Sequence, residues 1–187
     1  NDYYTKLQEI EEKKYNISLA GLLKQEELYK DDLRKLEQIN HEKLILNDQM
    51  KWHALPFTLR TEFFTKDELQ KALDYSRKLS KRFNKPMPIA AKMTDVPGHT
   101  QAIIDVLSEN GVKFLHLGCN PASTTPDVPV LFWWESKNKN RILVYYNKDY
   151  GSSILPPPNW NYPVHLALIQ TNDNCGVQSH TVIEHLK

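Results

Sequence analysis

The chain has 187 residues, of which 40% are hydrophobic and 25% charged, and its formal net charge is +1. A chain of this length buries roughly 70% of the surface it exposes when unfolded, so one compact unit is expected. A near-neutral charge excludes nucleic-acid binding driven by bulk electrostatics, and the lack of any apolar run near ~18 residues excludes a membrane-spanning helix.

Charge is uneven: residues 1–50 are net negative and the remainder net positive. The two cysteines, Cys119 and Cys175, form no CxxC pair and imply no disulfide framework, which leaves the compartment open. The chain begins at Asn1 without a methionine and is expected to be a trimmed or internal piece of a longer protein.

In chain order, residues 19–46 read as one long helix, with Leu22, Tyr29, Leu33, Leu36 and Asn40 on a shared face. "MKWHALPF", residues 50–57, reads as a short strand ending at a proline. Thr65 and Glu68 have the spacing of a capping box, and Leu69, Leu73, Ser76, Leu79 and Phe83 give the stripe of a second helix. "PMPIAAKM" is the next strand. Thr100 caps a third helix carrying Ile103, Ile104 and Leu107, which Asn110-Gly111 ends. "VKFLHLG" is a strand, and "NPASTTPDVP" is a loop of turn formers. "LFWWES" and "RILVYYN" read as a hairpin or neighbouring strands around "NKN". "GSSILPPPNWN" is a stiff connection, "VHLALIQT" a last strand, and residues 177–187 a helix. Strands alternating with helices predict an α/β fold with a mainly parallel sheet. The expected organisation is a helical segment, 1–49, in one compact unit with an α/β domain, 50–187.

Parallel α/β folds bind ligands at the carboxyl ends of their strands. The polar residues there, or on the strands leading there, are Trp52, His53, Glu62, Asp95, His99, Cys119, Asn120, Asp149, Tyr150, Asn172, Asp173 and Asn174. Two carboxylates, Asp95 and Asp173, thus end two different strands, and paired carboxylates carry acid, base and nucleophile chemistry in glycoside hydrolysis. Trp52, Trp133, Trp134, Trp160 and Tyr150 would suit stacking on sugar rings. Simpler roles compete: Asp95 as a helix cap, Asp173 as an Asx turn, His116 as a structural histidine inside its strand. No nucleotide-binding glycine loop, GxSxG or HExxH is present, and no zinc-type histidine spacing occurs.

"WHALPFTLRTE", "AAKMTDVPGHT", "LHLGCNPASTTPDVPVLFWWE" and "TNDNCG" together resemble the catalytic region of glycoside hydrolase family 38, in a bacterial, DUF5054-type branch. The resemblance spans about residues 50–180. Its most specific part, "KMTDVPGHT", is similar to the D-P-F-G-H-S motif of the α-mannosidases, with Val96 in place of the phenylalanine.

The resemblance implies part of a (β/α) barrel-like domain and a retaining mechanism on α-mannoside-like glycans. Asp95 would be the nucleophile and a zinc ligand, and Asp173 the acid/base. Trp52, His53, Glu62, His99, Asn120 and Tyr150 would contact the carbohydrate. The family's His-x-Asp zinc motif occurs nowhere in the chain, and Cys119-Asn120 stand where an arginine is usual. Zinc is therefore expected only in a complete enzyme, and this isolated chain is expected to be inactive. Two alternatives are a non-catalytic carbohydrate-binding or interaction domain with a degenerate site, and a metal-dependent carbohydrate deacetylase using His53 and His99.

Overall fold

Pro86-Met87-Pro88 leaves the chain extended, and residues 90–93 then alternate, with Ala91 and Met93 buried and Ala90 and Lys92 on the opposite face. This alternation makes strand β1, Ala90–Met93; β2, Phe114–Gly118, is buried at its last four positions, and β3, Leu131–Glu135, and β4, Arg141–Asn147, complete the sheet. The computed structural model describes residues 5–6, 19–150, 155–168 and 181–185. They divide into two compact units, residues 1–51 and 52–187.

In the first unit, α1 runs Leu19–Leu46 as one 28-residue helix. Leu33, Leu36, Asn40 and Leu44 form a half-buried stripe, whereas Leu28, Ile39 and Leu46 are exposed. Leu22 and the ring of Tyr29, expected on that stripe, lie outside the described side chains. Lys35 pairs with Asp31 one turn earlier at 2.7 Å, an exposed pair that solvent screens and that adds little to stability. The helix stops where Asp48 takes a positive φ of 59° and the Gln49 amide turns back to the Leu44 carbonyl at 2.9 Å.

In the second unit, β1 pairs parallel with β2, β2 pairs parallel with β4, and β3 pairs antiparallel with β4, in the order β1-β2-β4-β3. The fold is α/β with a mostly parallel mixed sheet. Among the described residues the sheet is open, with β1 and β3 at its edges.

The expected capping box is present: the Thr65 hydroxyl accepts from the Glu68 amide, and the Glu68 carboxylate accepts from the Thr65 amide. One expected helix is two, α2, Lys66–Ala72, and α3, Asp74–Phe83, because the Leu73 amide bonds three residues back, to the Gln70 carbonyl at 3.2 Å. Asn84, at φ 51°, closes α3. Helix α4, Ala102–Glu109, has Gln101 at its N-cap position without a side-chain cap; the Thr100 hydroxyl accepts from the Ala102 amide at 3.4 Å. Gly111, at φ 78°, ends it, and the Val112 amide reaches the Leu107 carbonyl at 3.0 Å.

These helices cover one face of the sheet. Leu69, Leu73, Ile103, Ile104 and Leu107 pack with Leu115, Leu117, Ile142 and Val144 in one core. Asp105 of α4 ties that layer to the hairpin. Its carboxylate accepts from the Ser136 hydroxyl at 2.5 Å and from the Asn138 and Asn140 side-chain amides at 2.8 Å each.

The strand expected over 50–57 does not form. Ala54 donates one backbone bond to the Ala90 carbonyl, at 2.8 Å. The Ser76 hydroxyl sits against the Ala54 and His53 carbonyls, at 2.6 and 3.1 Å, and Pro56 has no amide to continue a ladder. The last expected strand is also lacking over Val164–Ala167, with only an isolated bridge at Leu168; residues 169–171 lie outside the described residues. Of the expected C-terminal helix, Val182–His185 is helical and forms α5.

Candidate functional site

The carboxyl ends of β1, β2 and β4 converge on Thr94-Asp95, Gly118-Cys119-Asn120 and Asn147–Tyr150. Gly118 permits the convergence. A Cβ there would stand 2.7 Å from the Asp149 carbonyl oxygen, 2.9 Å from the Tyr150 carbonyl carbon and 3.0 Å from Thr94 Cγ2. No side chain fits under that backbone crossing.

Asp95 takes a positive φ of 83°, a conformation that costs an L-residue energy and that aspartate tolerates better than most. Two bonds hold it. Its amide donates to the Gly118 carbonyl at 3.0 Å, and its Oδ1 accepts from Asn120 Nδ2 at 3.0 Å. The side chain of Asn120 also accepts from the Ala122 amide at 2.9 Å, which fixes its orientation. Asp95 is exposed, so its carboxylate faces solvent at the strand ends.

His99 follows in the same loop. The Thr61 hydroxyl accepts from the Thr100 amide at 2.9 Å and also lies 3.3 Å from His99 Nδ1. His99 Nε2 is buried and without a partner among the described residues. Burial pushes the imidazole down to about 4, against a smaller opposing pull from Glu62. Glu62 sits in the 3-10 turn Thr61–Phe63.

A second group of polar residues lies on the sheet face away from the helices. Lys92, His116 and Tyr145 occupy one register row across β1, β2 and β4. His116 is 2% exposed, and its Nε2 lies 2.8 Å from Asn147 Oδ1. Burial pushes it down to about 4; the Asn147 bond and Asp149 act upward, and Lys92 and His53 act downward. His53 is also lowered, first by burial and then by Lys92. Beyond Tyr145, His165 and Trp160 stand with ring centroids 6.3 and 5.8 Å from its ring.

Of the residues expected at the site, Asp95 and Asn120 are in direct contact, and the Tyr150 backbone lies over Gly118 beside them. His99 and Glu62 neighbour each other around Thr61. Trp52 packs on Phe83, ring centroids 6.1 Å apart. His53 belongs with the Lys92 row. Asp173 lies outside the described residues. Lys92 and His116 were legible in the strand alternation, because each stands between two buried core residues on its own strand.

Cys119 is a buried thiol that donates to the Asn120 carbonyl at 3.6 Å. Tyr146 beside it is pushed up to about 12, by burial first and by Cys119 second. No set of three or more His, Cys, Asp or Glu side chains among the described residues is placed to hold a metal ion, so those residues do not fit a zinc site around Asp95. Among the described residues no helix is long and apolar enough to cross a membrane. Comparison of the chain with models of known protein families, with curated proteins and with solved structures gave no match.

Proposed function

We propose that the 50–187 region belongs to the catalytic domain of a retaining glycosidase acting on α-mannoside-like glycans, its sheet forming an arc of a (β/α) barrel. One observation carries the reading: Asp95 is an exposed carboxylate in a strained backbone conformation at the carboxyl edge of a parallel sheet, gripped by Gly118 and Asn120. Strain held by surrounding bonds collects at active sites, and the carboxyl edge of a parallel sheet is where such folds bind ligands.

In this reading the Asp95 carboxylate attacks the anomeric carbon as the glycosidic bond breaks, and the leaving oxygen takes a proton from Asp173. A water, deprotonated by the Asp173 carboxylate, then displaces Asp95 and frees the sugar with its configuration retained. Asn120 supports the first step by fixing one Asp95 oxygen, leaving the other for attack. The zinc that the family resemblance implies would need ligands from outside the described residues.

The test uses the full-length protein and an aryl α-mannoside. Asp95→Asn is expected to lower kcat/KM by about 10³-fold or more, and a 2-deoxy-2-fluoro glycosyl donor to leave a covalent adduct on the Asp95 peptide. Normal turnover by Asp95→Asn sinks the assignment. A second reading, a carbohydrate-binding domain with a degenerate site, is favoured by the neutral Asn120 against Asp95 and the lack of a metal donor set among the described residues. It predicts saturable sugar binding with no hydrolysis. The deacetylase alternative would use His53 and His99, and it predicts release of acetate from an acetylated sugar.

A further inference from the structure

Lys92 is a half-buried cation with no carboxylate within salt-bridge distance among the described residues. Long cationic side chains drawn toward the interior are ordinarily paired, because an uncompensated charge away from water is costly. Its surroundings deepen the anomaly. His116, its register neighbour, is 2% exposed, with Nδ1 buried and without a partner among the described residues. His53 Nδ1, also in Lys92's field, is buried and meets no hydrogen-bond geometry among them, although the Leu55 backbone lies close enough to pull the imidazole slightly upward. A buried polar atom without a partner calls for an explanation, and a bound ion or molecule is one.

The side chains around the row define what would fit. His53 borders Lys92 from the 52–55 segment, and His116 stands next to it on β2. Tyr145 continues the row on β4, Asp149 acts on His116, and the His165 ring lies 6.3 Å from that of Tyr145. Lys92, His53 and His116 supply one cation and two imidazoles lowered by burial, and the Asp149 backbone, whose residue already has an interaction of its own, stands over Gly118 two residues beyond His116. An oxyanion at the β1 end would receive the Lys92 ammonium directly. A proton taken up by His53 or His116 would turn the orphaned nitrogen into a charge-assisted donor.

We infer that the sheet face opposite α2, α3 and α4 carries a binding site for an oxyanion, the carboxylate or the phosphate or sulfate ester of a small ligand, built from Lys92 with His53 and His116. The site is separate from Asp95 and stands whether or not the glycosidase reading does. Burial holds both imidazoles neutral in the empty protein, so occupation draws in protons and affinity rises as pH falls.

Isothermal titration of the 187-residue chain with sulfate and with glucuronate tests this. Neither probe titrates between about pH 7.5 and about pH 5.5, so any pH dependence belongs to the protein. One-to-one saturable binding is expected, about fivefold or more tighter at the lower pH, with proton uptake seen in buffers of different ionisation enthalpy. Lys92→Gln should weaken it about tenfold, and Lys92→Arg should restore it. His116→Gln, judged folded by circular dichroism, should flatten the pH dependence while the Lys92 contact remains. Preference for sulfate points to an ester, preference for glucuronate to a carboxylated sugar, and either supports the site. No saturable binding of either probe overturns the inference, as does binding that Lys92→Gln leaves unchanged. Should Lys92→Gln fail to fold, pH-independent binding by the parent chain would overturn it equally.

Discussion

Asp95 and Gly118 end adjacent parallel strands, and the Asp95 amide donates to the Gly118 carbonyl at 3.0 Å while Asp95 holds a φ of 83°. The backbone preference at position 95 is therefore that of a glycine, and the carboxylate is kept against it. Asp95→Gly is expected to leave stability unchanged or raise it by up to about 1 kcal/mol, despite the loss of the Asn120 bond. Urea unfolding of parent and variant measures this, and a clear loss of stability would show that the side chain at 95 serves the fold.

Gly118 is the opposite case, since space and not φ demands the glycine. An alanine Cβ would collide with the Asp149 carbonyl oxygen at 2.7 Å and the Tyr150 carbonyl carbon at 2.9 Å, and both are backbone atoms. Gly118→Ala is expected to cost about 1–3 kcal/mol, read as a lower denaturant midpoint. A midpoint equal to the parent's would mean that the 147–150 crossing yields freely.

Asp105 accepts three side-chain bonds from the turn between β3 and β4, and the Ser136 and Asn140 bonds lower its carboxyl below the ordinary range most. Its contribution is full above the ordinary carboxylate range and is lost as pH falls through the lowered value. Asp105→Asn would set an amide against three donors and should cost about 1–3 kcal/mol at neutral pH. Thermal unfolding from neutral pH to about pH 3 should show less acid destabilisation in the variant than in the parent. Parallel curves would remove Asp105 from the account.

His99 and His116 are both pushed down to about 4 by burial. Above the ordinary histidine value of about 6.5, folded and unfolded chains both hold neutral imidazoles and the effect is nil. Below it the unfolded chain takes up protons that the folded one refuses, so stability falls until pH reaches about 4. The loss is on the order of 1.4 kcal/mol per histidine for each pH unit crossed. His116→Gln should reduce this slope between about pH 6.5 and about 4 without abolishing it, since His99 and His53 remain lowered, measured in anion-poor buffer. A parent chain with flat stability across that window would contradict the burial of these rings.

Sequence reasoning read the elements best where local signals agreed. Thr65 with Glu68, Asn110-Gly111 and the apolar patterns of β1, β2 and β4 each have a local cause, and each produced the expected element. It failed at residues 50–57 because a hydroxyl from 22 residues away, Ser76, sits on the carbonyls a strand would have used. Nothing local announces such a contact. The rule of strand ends brought Asp95 and Asn120 together correctly. Inspecting ends alone passed over Lys92 and His116, whose significance comes from register between strands and not from position along one.

The Ser76 contact also bears on how the molecule meets others of its kind. A free β1 edge would offer a row of amides and carbonyls to any extended peptide nearby, which is how sheets stack into fibrils. Residues 52–55 lie along that edge as a strip that bonds once, through Ala54, and cannot itself recruit a further strand, since its His53 and Ala54 carbonyls face Ser76 and Pro56 lacks an amide. The segment that fails to become a strand thereby occupies the β1 edge at Ala54, while β3 is the other edge of the described sheet.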